Sequence, residues 1–263
     1  MNFENEQIKK KDRLIVVMRH GERSDLAGTE VKLSMSDPNL TEIGKSQAFA
    51  AGKRLKEILE ELLQNSQDSH SPYTPIDLNE NKIAIISSPF ARTLETAKYA
   101  KNGMGLNAPI FIENGLSEFI SKGWFSTSPK DFLCYYGLMG GYKGIKEDHK
   151  NVIEKPEYFL NEMMNEVIIE QTLVELPEYP ESTYNCISRF HHTLDLLVYY
   201  YLIRKDFDIM VLVTHVFGLQ TLCEKMEIPL DYFDIEYCST FIFKYDQESG
   251  KFNFEKNFYP ILY

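Results

Sequence analysis

The sequence predicts an α/β fold, a three-layer α/β/α sandwich with a mostly parallel central sheet. Four short apolar runs have the length and composition of strands that are buried on both faces. These runs are Leu14–Met18, Lys82–Ile86, Ala108–Ile112 and Ile209–Val213. Helical patterns lie between them, and strands that alternate with helices favour a parallel sheet. At 263 residues, the chain is long enough to bury one sizeable core.

The first long helix is predicted to begin around Leu40 and to end near Gln64 or Asn65, with Thr41 as its N-cap. Apolar residues at three- and four-residue spacing form its core-facing stripe. They are Ala48, Ala51, Leu55, Ile58, Leu59 and Leu62. A second helix follows the second strand, where Ser88 is a fair cap and Pro89 suits the first turn.

A third helix is predicted from Glu181–Thr183 onwards. Its apolar stripe consists of Tyr184, Ile187, Phe190, Leu194, Leu197, Val198 and Tyr201. A short helix to about Leu222 follows the fourth strand. The segments 240–245 and 252–254 predict a late hairpin joined through Glu248–Gly250.

The whole chain, residues 1–263, is interpreted as one domain with an inserted irregular and helical segment at about 120–180. Glycines and prolines interrupt this segment repeatedly, which favours short elements, and 157–171 is predicted as one of its helices. Its aromatic residues, between about 119 and 142, suit either an aryl-phosphate pocket or ordinary core, and core is the preferred interpretation.

The chain is acidic, with a net charge of −11 from 28 basic and 39 acidic residues. Such a chain has no general attraction for nucleic acid or anionic membrane, so neither is expected as a partner. The four cysteines show no metal-binding spacing and are expected to be reduced, buried thiols. The polar first residues do not resemble a signal peptide, and a cytoplasmic protein is expected. The sequence does not reveal the oligomeric state.

Reactive side chains follow the predicted strands at the points where those strands end. The first strand runs into Arg19-His20-Gly21-Glu22-Arg23, and the fourth runs into Thr214-His215. Arg92 lies one turn into the helix after the second strand, and Glu113 and Glu118 follow the third. Since ligands bind at the carboxyl ends of parallel strands, we expect these groups to lie together. Each segment read alone also fits a solvated loop or surface residue.

Two histidines, three arginines and a carboxylate suit phosphoryl transfer without a metal or other cofactor. A neutral His20 can attack phosphorus, while the arginines and a cationic His215 stabilise the equatorial oxygens. A protonated Glu118 can protonate the leaving oxygen and then accept a proton from the attacking water. Glu113 remains an alternative donor.

The ordered motifs resemble the histidine phosphatase superfamily, the phosphoglycerate mutase-like family. They are Arg19-His20-Gly21-Glu22, Leu40-Thr41-x-x-Gly44-x-x-Gln47-Ala48, Ser88-Pro89 with Arg92 and Thr96-Ala97, Leu116-Ser117-Glu118-Phe119, and Thr214-His215. The resemblance implies that His20 is the phosphorylated nucleophile and Glu118 the proton donor. It implies a phosphate pocket of Arg19, Arg23, Arg92 and His215.

Arg23 stands where many members have threonine, which resembles the branch of the suppressor-of-T-cell-receptor-signalling phosphatases. This resemblance implies a histidine acid phosphatase-like phosphoric monoester hydrolase that acts on a phosphorylated small molecule or a phosphoprotein, including aryl phosphates or phosphotyrosine. Val216 departs from the family pattern, which has glycine after the second histidine, so it is expected to narrow the pocket or change the loop. A phosphoglycerate mutase-type phosphotransferase and a non-catalytic phosphate-binding protein remain alternatives.

Overall fold

A computed structural model gives the fold of the chain. It describes residues 10–11, 13–25, 37–65, 73–74, 79–131, 133, 167–168, 172–231 and 235–260. Most of the predicted insertion, together with His70, Cys134 and His149, lies outside these ranges.

The central sheet has seven strands within the described ranges, in the order β6-β5-β4-β7-β2-β8-β9. The strands of the chain are β1 (Lys10–Lys11), β2 (Arg13–Arg19), β3 (Tyr73–Thr74), β4 (Ile83–Ser87), β5 (Ile110–Ile112), β6 (Val167–Ile168), β7 (Ile209–Thr214), β8 (Thr240–Asp246) and β9 (Lys251–Phe258). Neighbours from β6 through β2 pair in parallel, whereas β8 and β9 pair antiparallel. The short strands β1 and β3 pair only with each other.

Helices cover both faces of this sheet, as predicted. They are α1 (Glu42–Asn65), α2 (Ala91–Met104), α3 (Thr183–Leu197), which continues as a π-helical turn over Val198–Arg204, and α4 (Val216–Lys225). Alternate residues of β2 face opposite layers, as the two-residue period of a strand requires. Val16 packs in the apolar cluster that contains α1 and α2 residues, and Val17 packs in the cluster that contains α3 and α4 residues.

The predicted first cap is confirmed, and the second is wrong. The Thr41 hydroxyl accepts a hydrogen bond from the Gly44 amide at 2.9 Å. Ser88 does not cap α2, which begins only at Ala91. The carboxylate of Asp37 accepts from the Ala91 amide at 2.8 Å and satisfies the helix terminus instead.

Two further predictions about local structure are wrong. Tyr184 is 78% exposed because it lies in the first turn of α3, before that helix reaches the core. Val167 and Ile168, placed by the pattern within a helix, form β6, which pairs in parallel with β5. The late hairpin is confirmed as β8 and β9.

Cys186, Cys223 and Cys238 are buried free thiols, as expected. In the part of the chain that the structure describes, no helix combines the length and apolar character needed to cross a membrane.

Candidate active site

The register of two neighbouring parallel strands brings the two histidines together. Strands β2 and β7 pair Arg19 with Thr214, so His20 and His215 occupy the next position on each chain. The His20 amide donates to the Thr214 carbonyl at 3.0 Å, which continues the pairing by one residue. The two ring centroids are 5.5 Å apart, and both side chains are buried. Both rings therefore lie on the same edge of the sheet, as the sequence predicted.

The hydrogen bond at Nδ1 of His20 sets the tautomer of its ring. Nδ1 lies 2.7 Å from the Gly21 carbonyl oxygen, which can only accept, so Nδ1 carries the proton. Burial, followed by the charges of Arg92 and Arg19, holds the pKa of His20 well below its usual value. The ring is therefore neutral, and Nε2 keeps an available lone pair. This is the form that a histidine nucleophile needs.

His215 is held from both ring nitrogens. Its Nδ1 accepts from Arg92 Nη2 at 3.1 Å, and its Nε2 lies 2.8 Å from the Ser88 hydroxyl. Since a guanidinium can only donate, the proton of the neutral ring lies on Nε2 and is donated to Ser88. Burial and then Arg92 hold the pKa of His215 well below its usual value. The ring is therefore neutral in this arrangement, because a buried second positive charge beside a guanidinium is unfavourable. The cationic ring expected beside a bound phosphate stays a prediction.

Arg92 connects His215 to Glu118. Its Nη2 atom lies 3.3 Å from Glu118 Oε2, and that oxygen is also 3.3 Å from His215 Nδ1. Among the described residues, Nε and Nη1 of Arg92 are buried and have no hydrogen-bond partner, and Asp37 Oδ1 is 3.8 Å from Nη1. Arg92 is thus a buried cation with N–H groups available to a ligand. It lies in the first turn of α2, where the helix dipole also favours an anion.

The other two predicted arginines have protein partners in the structure. Arg19 donates from Nη1 to the Ile235 carbonyl at 2.5 Å, and its guanidinium lies 4.3 Å from the centre of the Tyr237 ring. Arg23 forms a bidentate pair with Asp25, at 3.0 Å and 2.7 Å. Its charge nevertheless reaches the site, since it contributes to the lowered pKa values of both histidines.

Gly21 permits close packing of the site loop against α1. A Cβ atom at this position would lie 2.6 Å from the Gly44 carbonyl oxygen. The Gly21 amide donates to the Thr96 hydroxyl of α2 at 3.0 Å. The loop after β2 is therefore wedged between two helices, which fixes the neighbouring histidine.

Val216 is the first residue of α4 and is only 6% exposed. It packs in the apolar cluster with core residues such as Leu116 and Leu219. The close packing here is provided by Gly218, where a Cβ atom would come within 2.6 Å of the Thr214 hydroxyl and of the Phe190 ring. A valine after the second histidine is thus accommodated in the core layer of the fold.

Of the two carboxylates that follow β5, only Glu118 reaches the histidines. Glu113 instead accepts hydrogen bonds from three backbone amides, those of Gly115 at 2.9 Å, Leu173 at 2.8 Å and Val174 at 3.1 Å. Its carboxylate is therefore committed to holding the loop. The geometry favours Glu118 over Glu113 as a proton donor.

The same cluster has donor atoms of the types that bind metals. One ligand atom each from His20, Glu118 and His215 lies within 4.8 Å of the others. However, Arg92 Nη2 lies within 3.3 Å of two of these groups, and two more arginines act electrostatically on the histidines. A cation placed here would meet three fixed positive charges, so the donor set suits an anion better.

Sequence reasoning missed three polar contacts of the site. Ser88 was interpreted as a cap, and Asp25 and Tyr237 were not singled out. No local pattern predicts the contacts of Ser88 and Tyr237. Ser88 meets its histidine across 127 positions, and Tyr237 is brought to His20, at 6.0 Å between ring centres, by the sheet. The proximity of Asp25 to Arg23 is the one signal the sequence carried.

Comparison with solved structures finds proteins of the same fold. It superimposes on ecdysone phosphate phosphatase from Bombix mori, in complex with tungstate, with a TM-score of 0.61, 16% identity and 95% of each chain covered. It matches phosphoglycerate mutase from Bacillus anthracis with a TM-score of 0.54, 16% identity, 94% of this chain and 93% of that one. A mycobacterial hydrolase matches with a TM-score of 0.52 and 17% identity, covering 96% of this chain and 94% of the other.

No protein-family model matches the chain, and no curated protein matches it significantly. The likeness to these solved structures nevertheless extends over nearly the whole chain. The chain therefore shares the α/β fold of these solved structures, the fold class that the sequence predicted.

Proposed function

We propose that this chain is a metal-independent phosphomonoester hydrolase, of the histidine acid phosphatase-like type, that acts through a phosphohistidine at His20. The observation that carries the proposal is the hydrogen bond from His20 Nδ1 to the Gly21 carbonyl. It leaves Nε2 as the nucleophile in a cluster that also contains Arg92, Glu118 and His215. A neutral, oriented imidazole beside buried cationic donors is what attack on a phosphate ester requires.

The reaction proceeds in two displacements. Nε2 of His20 forms a bond to phosphorus, the bond from phosphorus to the ester oxygen breaks, and protonated Glu118 transfers its proton to that oxygen. Glu118, now a carboxylate, removes a proton from water as the water oxygen attacks the phosphohistidine. The phosphorus–nitrogen bond breaks, inorganic phosphate leaves and neutral His20 is restored.

The positive charge for this reaction comes from the arginines. Arg92 has buried donors that can be satisfied by equatorial phosphate oxygens. Arg19 and Arg23 supply further positive potential, since both lower the pKa of His20. A bound phosphate would also compensate the positive charges of the arginines, Arg92 first, that oppose protonation of His215, so His215 can become a donor when substrate is present.

A cluster of aromatic rings beside the reactive groups supports an aryl ester as the substrate, including phosphotyrosine. Phe119 directly follows Glu118, and its ring stacks on that of Phe217 with centroids 5.1 Å apart. Trp124 meets the Phe119 ring edge-on at 6.3 Å and remains 49% exposed. An accessible aromatic surface next to the proposed donor can bind the ring of a leaving group.

The nucleophile is tested with p-nitrophenyl phosphate in the presence of EDTA. We expect the wild type to hydrolyse it and to form an acid-labile phosphoenzyme, and His20→Ala to do neither while retaining the wild-type circular dichroism spectrum. His192→Ala is the matched control, since that histidine is exposed on α3. Activity lost with EDTA and restored only by a metal, or near-native turnover by His20→Ala, would overturn the proposal. If the protein isomerises 3-phosphoglycerate faster than it hydrolyses p-nitrophenyl phosphate, it is a mutase instead.

The aromatic surface is tested by Trp124→Ala. Removing a half-exposed ring should lower kcat/KM for phenyl phosphate by about fivefold, the effect of roughly 1 kcal/mol of apolar contact. Glycerol 2-phosphate should be unaffected because it has no ring. Tyr199→Ala removes another aromatic side chain, 52% exposed, at the opposite edge of the sheet and should change neither substrate. An equal loss on both substrates would show that the ring does not contact the leaving group.

A further inference from the structure

The backbone that carries Glu118 is held by side-chain donors at four consecutive carbonyl oxygens. Three of these oxygens accept from one arginine of α3, and the fourth accepts from the threonine that precedes the second histidine. The bonds are Arg189 Nη1 to Gly115 O at 2.7 Å and to Ser117 O at 3.0 Å, Arg189 Nη2 to Glu118 O at 3.2 Å, and Thr214 Oγ1 to Leu116 O at 2.8 Å. The loop is thereby tied both to α3 and to the end of β7.

Arg189 is itself held rigidly by a buried carboxylate. Its Nε and Nη2 atoms each donate to Glu181 at 2.8 Å, in a bidentate pair whose members are 9% and 8% exposed. Glu181 also contacts the segment that follows Glu118, because the Glu181 amide donates to the Ile120 carbonyl at 2.8 Å. The ion pair therefore fixes the backbone on both sides of Glu118. A bidentate guanidinium–carboxylate pair sets orientation as well as distance.

Close packing presses α3 against the same turn. A Cβ atom on Gly115 would collide with the Thr193 hydroxyl, one turn further along the helix from Arg189. The Thr193 hydroxyl bonds back to the Arg189 carbonyl at 2.7 Å. The helix that carries the arginine thus lies directly against the loop, with no room for a side chain between them.

We propose that Arg189 is a positioning residue for the proton donor of this enzyme. The proposal rests on the function proposed above, in which Glu118 protonates the leaving oxygen. Arg189 sets where Glu118 stands relative to the ester oxygen while making no contact with the phosphate. Its guanidinium is suited to this role because it offers five donors in one plane, whereas an ammonium group offers three from a single point.

The position of a general acid matters only when the leaving group needs a proton. An alkoxide is a poor leaving group and depends on protonation, whereas p-nitrophenolate departs without it. Displacing Glu118 should therefore slow alkyl esters selectively. Benzyl phosphate and p-nitrophenyl phosphate are the appropriate pair, because both carry one aromatic ring and differ mainly in the departing oxygen.

The test is Arg189→Lys, with kcat/KM measured on both esters. This constant reports the first displacement, in which Glu118 acts as the acid, and not the hydrolysis of the phosphohistidine, in which it acts as the base. Since general acids contribute about 10²- to 10⁴-fold, we expect kcat/KM for benzyl phosphate to fall about 10- to 100-fold and kcat/KM for p-nitrophenyl phosphate to change less than about threefold. In the Glu118→Gln background, Arg189→Lys should cause no further loss on benzyl phosphate, because its effect passes through Glu118. An additive loss, or equal losses on both esters, would overturn the proposal.

Arg13→Lys is the matched control for stability. Arg13 is a buried arginine that donates to the Phe207 carbonyl at 2.9 Å and to Asp206 at 3.1 Å, at the start of β2 and hence at the other edge of the sheet. It should lower Tm without changing the ratio of the two rates. If it changes that ratio as Arg189→Lys does, the ratio reports general destabilisation and the proposal is wrong.

Glu181→Gln provides a second route if Arg189→Lys does not fold. This substitution keeps the size of the side chain but places an amide donor against the guanidinium of Arg189. The guanidinium should therefore be displaced, and the ratio of the rate on benzyl phosphate to the rate on p-nitrophenyl phosphate should fall. An unchanged ratio in a folded Glu181→Gln variant would contradict the positioning role. Failure of the wild type to hydrolyse either ester would instead refute the proposed function, so the two failures are distinguishable.

Discussion

Because Glu95 of α2 is a buried carboxyl, we expect the free energy of unfolding to fall as pH rises, and we expect Glu95→Gln to remove this fall. Its carboxyl is 8% exposed, and its Oε2 accepts from the Leu40 amide at 2.7 Å. Burial outweighs this hydrogen bond and raises the pKa of Glu95 from 4.5 to about 7. Below pH 4.5 the group is neutral in both the folded and the unfolded chain. As pH rises towards 7, the unfolded chain ionises first, and the folded state loses stability relative to it.

The size of the effect follows from the two pKa values. With 4.5 for the unfolded chain and about 7 for the folded one, the free energy of unfolding falls by about 2.5 kcal/mol between pH 5 and pH 8. Glu95→Gln cannot ionise, and its amide oxygen can still accept from the Leu40 amide. The variant should therefore gain about 2.5 kcal/mol over the wild type at pH 8 beyond any difference at pH 5. In Tm the gain corresponds to roughly 5–10 °C.

Urea unfolding at pH 5 and pH 8 measures this difference directly. Both proteins share every other titrating group, so the change in the gap between them isolates Glu95. Glu60→Gln, at an exposed position of α1, should show the same small difference from the wild type at both pH values. If the gap between Glu95→Gln and the wild type does not widen between pH 5 and pH 8, Glu95 is already ionised in the folded protein and the reasoning fails.

Three other substitutions probe the site and its packing. Asp37 is buried with Oδ1 at 3.8 Å from Nη1 of Arg92, and burial raises the pKa of Asp37 to about 7. Above pH 7 its ionised carboxylate would compete with a phosphate for Arg92 under the proposed function, so KM for p-nitrophenyl phosphate should rise in the wild type; Asp37→Asn should abolish this rise when KM is measured against pH. Ser88→Ala leaves the buried Nε2 proton of His215 without its acceptor, so we expect about 1–3 kcal/mol less stability by denaturant titration and at least about tenfold lower kcat; an unchanged kcat would mean that the hydroxyl does not orient the ring. Gly218→Ala should cost about 1–3 kcal/mol through overpacking, whereas Gly123→Ala, whose nearest neighbour would be 3.8 Å away, should leave Tm unchanged.

The sequence was sufficient to predict strands β2, β4, β5 and β7 and the residues that end them, whereas β1, β3 and β6 were not predicted. Buried parallel strands have short runs of apolar, often β-branched residues. The change from Met18 to Arg19 and from Val213 to Thr214 therefore indicates where β2 and β7 reach the carboxyl edge of the sheet. The core-facing side of α1 could also be predicted, because the three- and four-residue spacing of its apolar residues is a local property of the sequence. Predicting that four distant side chains meet required only the rule that carboxyl ends of parallel strands share an edge.

The supporting contacts could not be predicted, because they join positions far apart through irregular backbone. Arg189 lies in a helix, where one arginine reads as a solvated residue, yet it binds carbonyls 71 to 74 positions away. Asp37 caps a helix 54 positions further on, a role that the local pattern assigned to Ser88. The charge of His215 was also beyond reach, since it depends on burial and on a guanidinium at 3.1 Å.

The spacing of the two imidazoles is set by strand registration, since each lies one residue past the last pair of β2 and β7. Insertions or deletions in the connecting segments can therefore change the surroundings of the site while leaving the spacing of the two imidazoles intact. A single-residue insertion inside either strand would have the opposite consequence: it would reverse the faces of the following side chains and separate the imidazoles. Sequence variation around the site is thus expected in the loops of the chain and not in its sheet.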